Sequence, residues 1–218
     1  MRHLTAALTT ALVLVLSGCD SASAPAETPV PTSSSAARTR QGGPPTGSAA
    51  SSLWALIDGK GETIRQLPDD DPDVTAVRTL VALHSATTDN RDDATITVSA
   101  EREFDFYAPG FAQSLRGQSY DRRLVALYRT NKLATRQVKT AWYRSTLYED
   151  RATAKAEMDT VLQFTAADPG YLEKGGFVLD TPYTQHRTVS LAKQDGQWKI
   201  TAIRKSPMTK AAQRPASS

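Results

Sequence analysis

Apolar and polar positions change their rhythm four times along the chain. Residues 1–19 open on a basic residue, run apolar from Leu4 to Leu16, and end on Ser17-Gly18-Cys19. Residues 20–52 then show no apolar period at all, with five prolines, eight serines and no aromatic residue. From Leu53 the chain patterns like a folded domain. Leu53–Gln66 is an apolar cluster interrupted by Gly59 and Gly61, and reads as a short helix or a strand. Val74, Val77, Val81 and His84 recur at helical spacing behind Asp71-Pro72-Asp73, which predicts a carboxylate-capped helix to about Ala86. Residues 101–115 suggest short helical pieces kinked at Pro109-Gly110, and Leu124, Leu127 and Tyr128 share one face of a helix over 120–133.

Beyond residue 138 the period falls to two. Val138, Thr140 and Trp142 alternate with Ala141, Tyr143 and Ser145, which predicts a strand to Leu147. Glu149-Asp150-Arg151 reads as a reversal, a second strand runs over 152–165, and Asp168-Pro169-Gly170 opens a loop. The last pair of strands, 184–193 and 198–204, is joined at Asp195-Gly196, a strong hairpin signal. Helices first and antiparallel strands afterwards predict an α+β domain over 53–206, with 207–218 reading as a disordered tail like the linker at 20–52.

Charge sharpens this outline. The 26 basic and 23 acidic residues of the 218-residue chain leave a formal +3, and the five bases and two acids outside residues 53–206 account for it. The domain itself is neutral, with its acids concentrated before residue 106 and its bases after it. Arg122, Arg129 and Lys132 mark a candidate basic surface on the helix that begins at Tyr120. One cysteine excludes an intramolecular disulfide and any site built on several thiolates. No phosphate-binding glycine loop, zinc-protease or serine-hydrolase motif is present. His84 and His186 do not make a metal site by themselves, and no cofactor is expected.

The run Leu16-Ser17-Gly18-Cys19 resembles a bacterial lipobox at the end of a secretory signal. That resemblance implies cleavage after residue 18, acylation of Cys19, and a domain held on the extracytoplasmic side of the cell membrane by a tether over residues 19–52. The ending Asp195-Gly196-Gln197-Trp198-Lys199-Ile200, with Phe106-Tyr107-Ala108-Pro109-Gly110-Phe111 upstream, resembles the nuclear transport factor 2-like fold. The resemblance implies N-terminal helices packed on a strongly curved antiparallel sheet, forming a cone. It is also similar in organisation to signal-anchored envelope proteins of actinobacteria, including mammalian-cell-entry-associated proteins and conjugation-channel subunits with these domains. Enzymes of this fold place their chemistry inside the cone, so Asp105 and the pocket candidates Tyr107, Tyr128, Trp142, Tyr143 and His186 carry the enzyme reading, an isomerase, cyclase or hydrolase type. No His–Asp pair stands out among them. The expected function is therefore a non-enzymatic binding or scaffolding module for an envelope protein or a small apolar ligand, with no role for nucleic acid.

Overall fold

The computed structural model describes residues 52–211. The acidic run does cap a helix. Asp71 accepts from the Asp73 and Val74 amides, Pro72 occupies the first turn, and α1 spans Pro72–Asp89, three residues longer than its apolar period suggests. The extra turn is polar, and it is buried. A two-residue β3 (Arg91–Asp92) leads to α2 (Ile96–Glu103), a single 3₁₀ turn at Phe104–Phe106, α3 (Pro109–Gly117) and α4 (Tyr120–Thr130).

Ahead of α1 lies a hairpin, β1 (Trp54–Ile57) and β2 (Thr63–Leu67). β1 joins the main sheet in parallel with β5 (Ser145–Tyr148), so the sheet is mixed where antiparallel pairing was expected throughout. Trp54 and Leu67, both buried, sew this hairpin to the core of Val74, Val77, Val81, Leu147, Met158, Val189 and Ile200. The predicted strand over 138–147 is split into β4 (Ala134–Trp142) and β5, both pairing with the 14-residue β6 (Thr153–Ala166). A register shift between Gln137 and Lys139 turns Val138 out to solvent instead of placing it with Thr140 and Trp142.

β7 (Tyr183–Gln194) pairs with the other edge of β6 and with β8 (Gln197–Lys205). The Asp195-Gly196 turn has both residues at positive φ, 49° and 77°, as a two-residue hairpin of this twist demands. Residues 169–175, expected in a loop, form a short α5 (Pro169–Gly175) with Asp168 capping its first turn. Thr209–Lys210, expected in a disordered tail, form β9 against Tyr183 and Thr184. The class is α+β: the helices cover one face of a bulged sheet, and the other face is solvated around Tyr143 and His186 but buried at Val161 and Gln163. This layering agrees with the nuclear transport factor 2-like resemblance. Residues 1–51, with Cys19 and the run that resembles a lipobox, and residues 212–218 lie outside the described residues.

Candidate functional site

Between the helices and the sheet the core changes from apolar to ionised. On α2, Ile96, Ala100 and Glu103 occupy one buried stripe, and Tyr107 follows four residues on. That spacing carries a carboxylate inward where the pattern calls for an apolar side chain. Glu103 is 1% exposed. Its carboxylate takes the Arg91 guanidinium, the Tyr107 hydroxyl and the Tyr120 hydroxyl. Burial works to raise the Glu103 pKa, but the His84 side and the Arg91 charge prevail and hold it well below the usual carboxylate range.

His84 Nε2 lies 3.1 Å from the Tyr107 oxygen. Because Tyr107 donates its proton to Glu103, the imidazole must donate through Nε2 and is the Nε2–H tautomer. Burial keeps it neutral, its pKa lowered against the opposing pull of Glu103. Burial also pushes the Tyr107 and Tyr120 hydroxyls up, with the Glu103 charge adding to the effect, so both stay protonated.

A second cluster sits at the end of α1. Asp89 receives both terminal nitrogens of Arg187, at 2.6 and 3.1 Å. It also takes Ser85 Oγ at 2.9 Å, Thr160 Oγ1 at 2.7 Å and Gln137 Nε2 at 3.1 Å. Burial opposes ionisation here too, and the Arg187 charge overcomes it, leaving Asp89 lowered. Arg187 stands at an inward position of β7, in line with Val189 and Leu191, and Gln185 Oε1 accepts from its Nε and Nη2. Lys205 is paired in register with Arg187. Lys205 is exposed, and the surrounding protein and the Arg187 charge draw its ammonium below the usual lysine range.

Both interior carboxylates therefore have their oxygens taken by cations and hydroxyls of the chain itself. A general base needs an oxygen turned toward a substrate proton, and every oxygen of Glu103 and Asp89 is already engaged by a donor of the chain. The arrangement locks helices to sheet: Asp89 ties α1 to β4, β6 and β7, and Glu103 ties α2 to β3, to α4 and to the turn before α3.

The five pocket candidates do not share one place. Tyr107 belongs to the interior cluster. Tyr128 packs with Ile96 and Leu133 and bonds Thr135, 3.1 Å away. Trp142 lines a groove of about 400 Å³ with Asp69, Thr75, Arg78, Thr79 and Ala82 of the α1 side. Tyr143 and His186 stand on the opposite face, because neighbouring residues of an extended chain point to opposite sides. There His186 Nδ1 meets Asp159 at 2.9 Å, and Tyr143 donates to the other Asp159 oxygen at 2.6 Å. This is a His–Asp pair that the sequence does not reveal, since the two residues lie 27 apart. Such a pair orients an imidazole for proton transfer, but the His186 side chain is 44% exposed on a solvated sheet face. Asp105 is exposed on the 3₁₀ turn.

Among the described residues no group of three or more His, Cys, Asp or Glu is placed to hold a metal, and no helix is long and apolar enough to cross a membrane. On α4, Arg122 reaches Ser119 and Arg129 reaches Thr97 of α2, both by single bonds to hydroxyls, and Lys132 is exposed.

No family model and no curated protein matches the chain. Solved structures similar to it include an IcmL-like type IV secretion system protein from Legionella pneumophila, at 12% identity and a TM-score of 0.47, covering 66% of this chain and 98% of that one. The periplasmic domain of DotI gives 9% identity and a TM-score of 0.46 over 61% of this chain and 94% of its own. The VirB8 protein of Agrobacterium tumefaciens gives 12% and 0.40 over 67% and 100%. Likenesses of this order carry no argument about activity or partners. The expected kinship with mammalian-cell-entry-associated lipoproteins does not hold: the similar structures are those of type IV secretion system proteins.

Proposed function

We propose that the chain is an extracytoplasmic binding or scaffolding module without catalytic activity, tethered to the outer side of a bacterial membrane through an acylated Cys19. The observation that carries the non-enzymatic part is the saturation of Glu103 and Asp89 by Arg91, Arg187 and the hydroxyls around them. Buried ion pairs of this kind are structural ties, and breaking one by removing a single partner costs about 3–5 kcal/mol. A catalytic carboxylate behaves in the opposite way, because active sites are held at the expense of stability. Glu103→Gln, measured by urea unfolding, is expected to destabilise the fold by several kcal/mol. A gain in stability would reverse the reading and favour an enzyme with its site in this interior.

The anchor is supported by the sequence at residues 16–19, and two acyl chains give stable attachment where one would be marginal. Cys19→Ala is expected to move the protein out of the membrane fraction. Unchanged retention would refute acylation and leave the module reading standing.

A further inference from the structure

Several acids of the first half of the domain are engaged away from the bases of α4. Asp69 pairs with Arg78, Asp71 with Arg151, and Asp73 with both Arg151 and Lys193. Glu103 and Asp89 are closed around Arg91 and Arg187. Among the described residues, Arg122, Arg123, Arg129 and Lys132 have no carboxylate within ion-pair distance. At 100° per residue, Arg129, Arg122, Ala126, Thr130, Arg123 and Leu127 follow one another around an arc of about 160°. All six are exposed. The acid of this helix, Asp121, lies off that arc in the first turn, where it suits the helix N-terminus. Leu127 is 41% exposed at one margin of the arc. Thr97, which takes Arg129, brings α2 alongside with Val98, 51% exposed, next in its chain; α2 also carries Arg102 and one exposed acid, Glu101.

We infer that this face of α4 docks on a bilayer rich in anionic phospholipid headgroups, with the arginines at the phosphates and Leu127 at the headgroup boundary. Unpaired arginines suit phosphate, which they meet with two parallel donors. A broad, mostly polar arc with one apolar margin fits a surface better than it fits a partner groove, whose ligands present a continuous apolar stripe. The inference rests on the proposed anchoring in one respect only. With Cys19 anchored, 33 residues of chain behaving as a coil would span about 30 Å, so weak headgroup contacts would act at high local concentration.

The test is sedimentation of the full chain with vesicles of phosphatidylglycerol and phosphatidylcholine, against vesicles of phosphatidylcholine alone. Any contribution of the apolar N-terminal segment is common to both and cancels in the comparison between variants. Binding is expected to favour the anionic vesicles and to weaken as salt rises from about 0.1 M to about 1 M, where screening acts within about 3 Å. Each basic residue near such a surface is worth roughly fivefold, so Arg122→Ser/Arg123→Ser/Arg129→Ser should lose on the order of a hundredfold. Ala126→Glu, which places one acid at the middle of the arc in a residue type that favours helix, should lose about fivefold with an unchanged melting temperature. Equal binding to the two kinds of vesicle, or a triple variant that binds as the parent does, overturns the inference. So does retention by an acidic polypeptide with no preference between the vesicles. Pure lipid vesicles do not report on acylation, so failure here and failure of the Cys19→Ala fractionation are separate results.

Discussion

Replacing Asp89 by Asn isolates one charge without opening a cavity, since the two side chains have nearly the same shape. The carboxylate is the common acceptor for Arg187, Ser85, Thr160 and Gln137, all between 2.6 and 3.1 Å. The amide keeps one oxygen and turns its NH₂ toward a set of donors. The buried Arg187 is then left without a counter-charge, and an uncompensated buried charge costs about 3–5 kcal/mol. Against a total stability of about 5–15 kcal/mol this is a large share. For a domain of this size it corresponds to a fall in melting temperature of about 6–20 °C. Thermal and urea unfolding followed by circular dichroism would read both quantities. Adding Arg187→Met to the same variant removes the orphaned cation and is expected to return about 1–3 kcal/mol as a coupling energy. The pH dependence gives an internal check. The Asp89 pKa is lowered in the folded state, so its stabilisation is present above the unfolded value near 3.8 and is lost as pH falls below it. The penalty of Asp89→Asn must therefore shrink below about pH 4. An isolated cost under about 1 kcal/mol at neutral pH would refute the view that this cluster ties α1 to the sheet.

The remaining predictions concern single groups. His84 is held neutral with its pKa lowered, so its contribution is complete above about pH 6.5 and declines as pH falls below that value; His84→Gln should flatten the stability–pH curve between about 5 and 6.5, and an unchanged slope would rule the group out. Tyr107→Phe deletes the hydroxyl that joins His84 to Glu103, and should cost about 1–3 kcal/mol in urea unfolding by leaving two buried partners unmatched; a neutral result would mean that water takes its place. Gly196→Val puts a β-branched residue at φ 77° and should cost at least about 1–2 kcal/mol, whereas Gly196→Asn should be mild.

How far the sequence reveals this fold follows from the kind of signal each element leaves. Period 3.6 and a capping carboxylate identify α1, and Asp195-Gly196 identifies the β7–β8 turn, because both are local. The break at Gln137–Lys139 leaves no local mark, so Val138 reads as inward and stands outside. β1 is recognisable as a strand only through its partners, and β5 lies some ninety residues on. The interior site is half legible. His84 falls on the apolar stripe of α1 and is buried there, but Glu103 and Arg187 read as surface charges unless their in-facing positions are taken literally. Each occupies the next apolar place in a stripe, at Ile96–Ala100–Glu103 and Arg187–Val189–Leu191. A charge in such a place requires a buried counter-charge, and which one is decided by the tertiary fold. Asp159 and His186 face each other because β6 and β7 are in register, which a linear pattern does not contain.

The position of β1 has a mechanical consequence. It is flanked on both sides, antiparallel to β2 and parallel to β5, and it is the first strand of the domain. Any load arriving from the chain ahead of Leu53 enters through it. A pull along its axis must slide it past two neighbours at once, loading their hydrogen bonds together, and must unseat the buried Trp54. A terminal edge strand would peel open one bond at a time. A load entering there would therefore meet the hairpin before it reached the ionised interior.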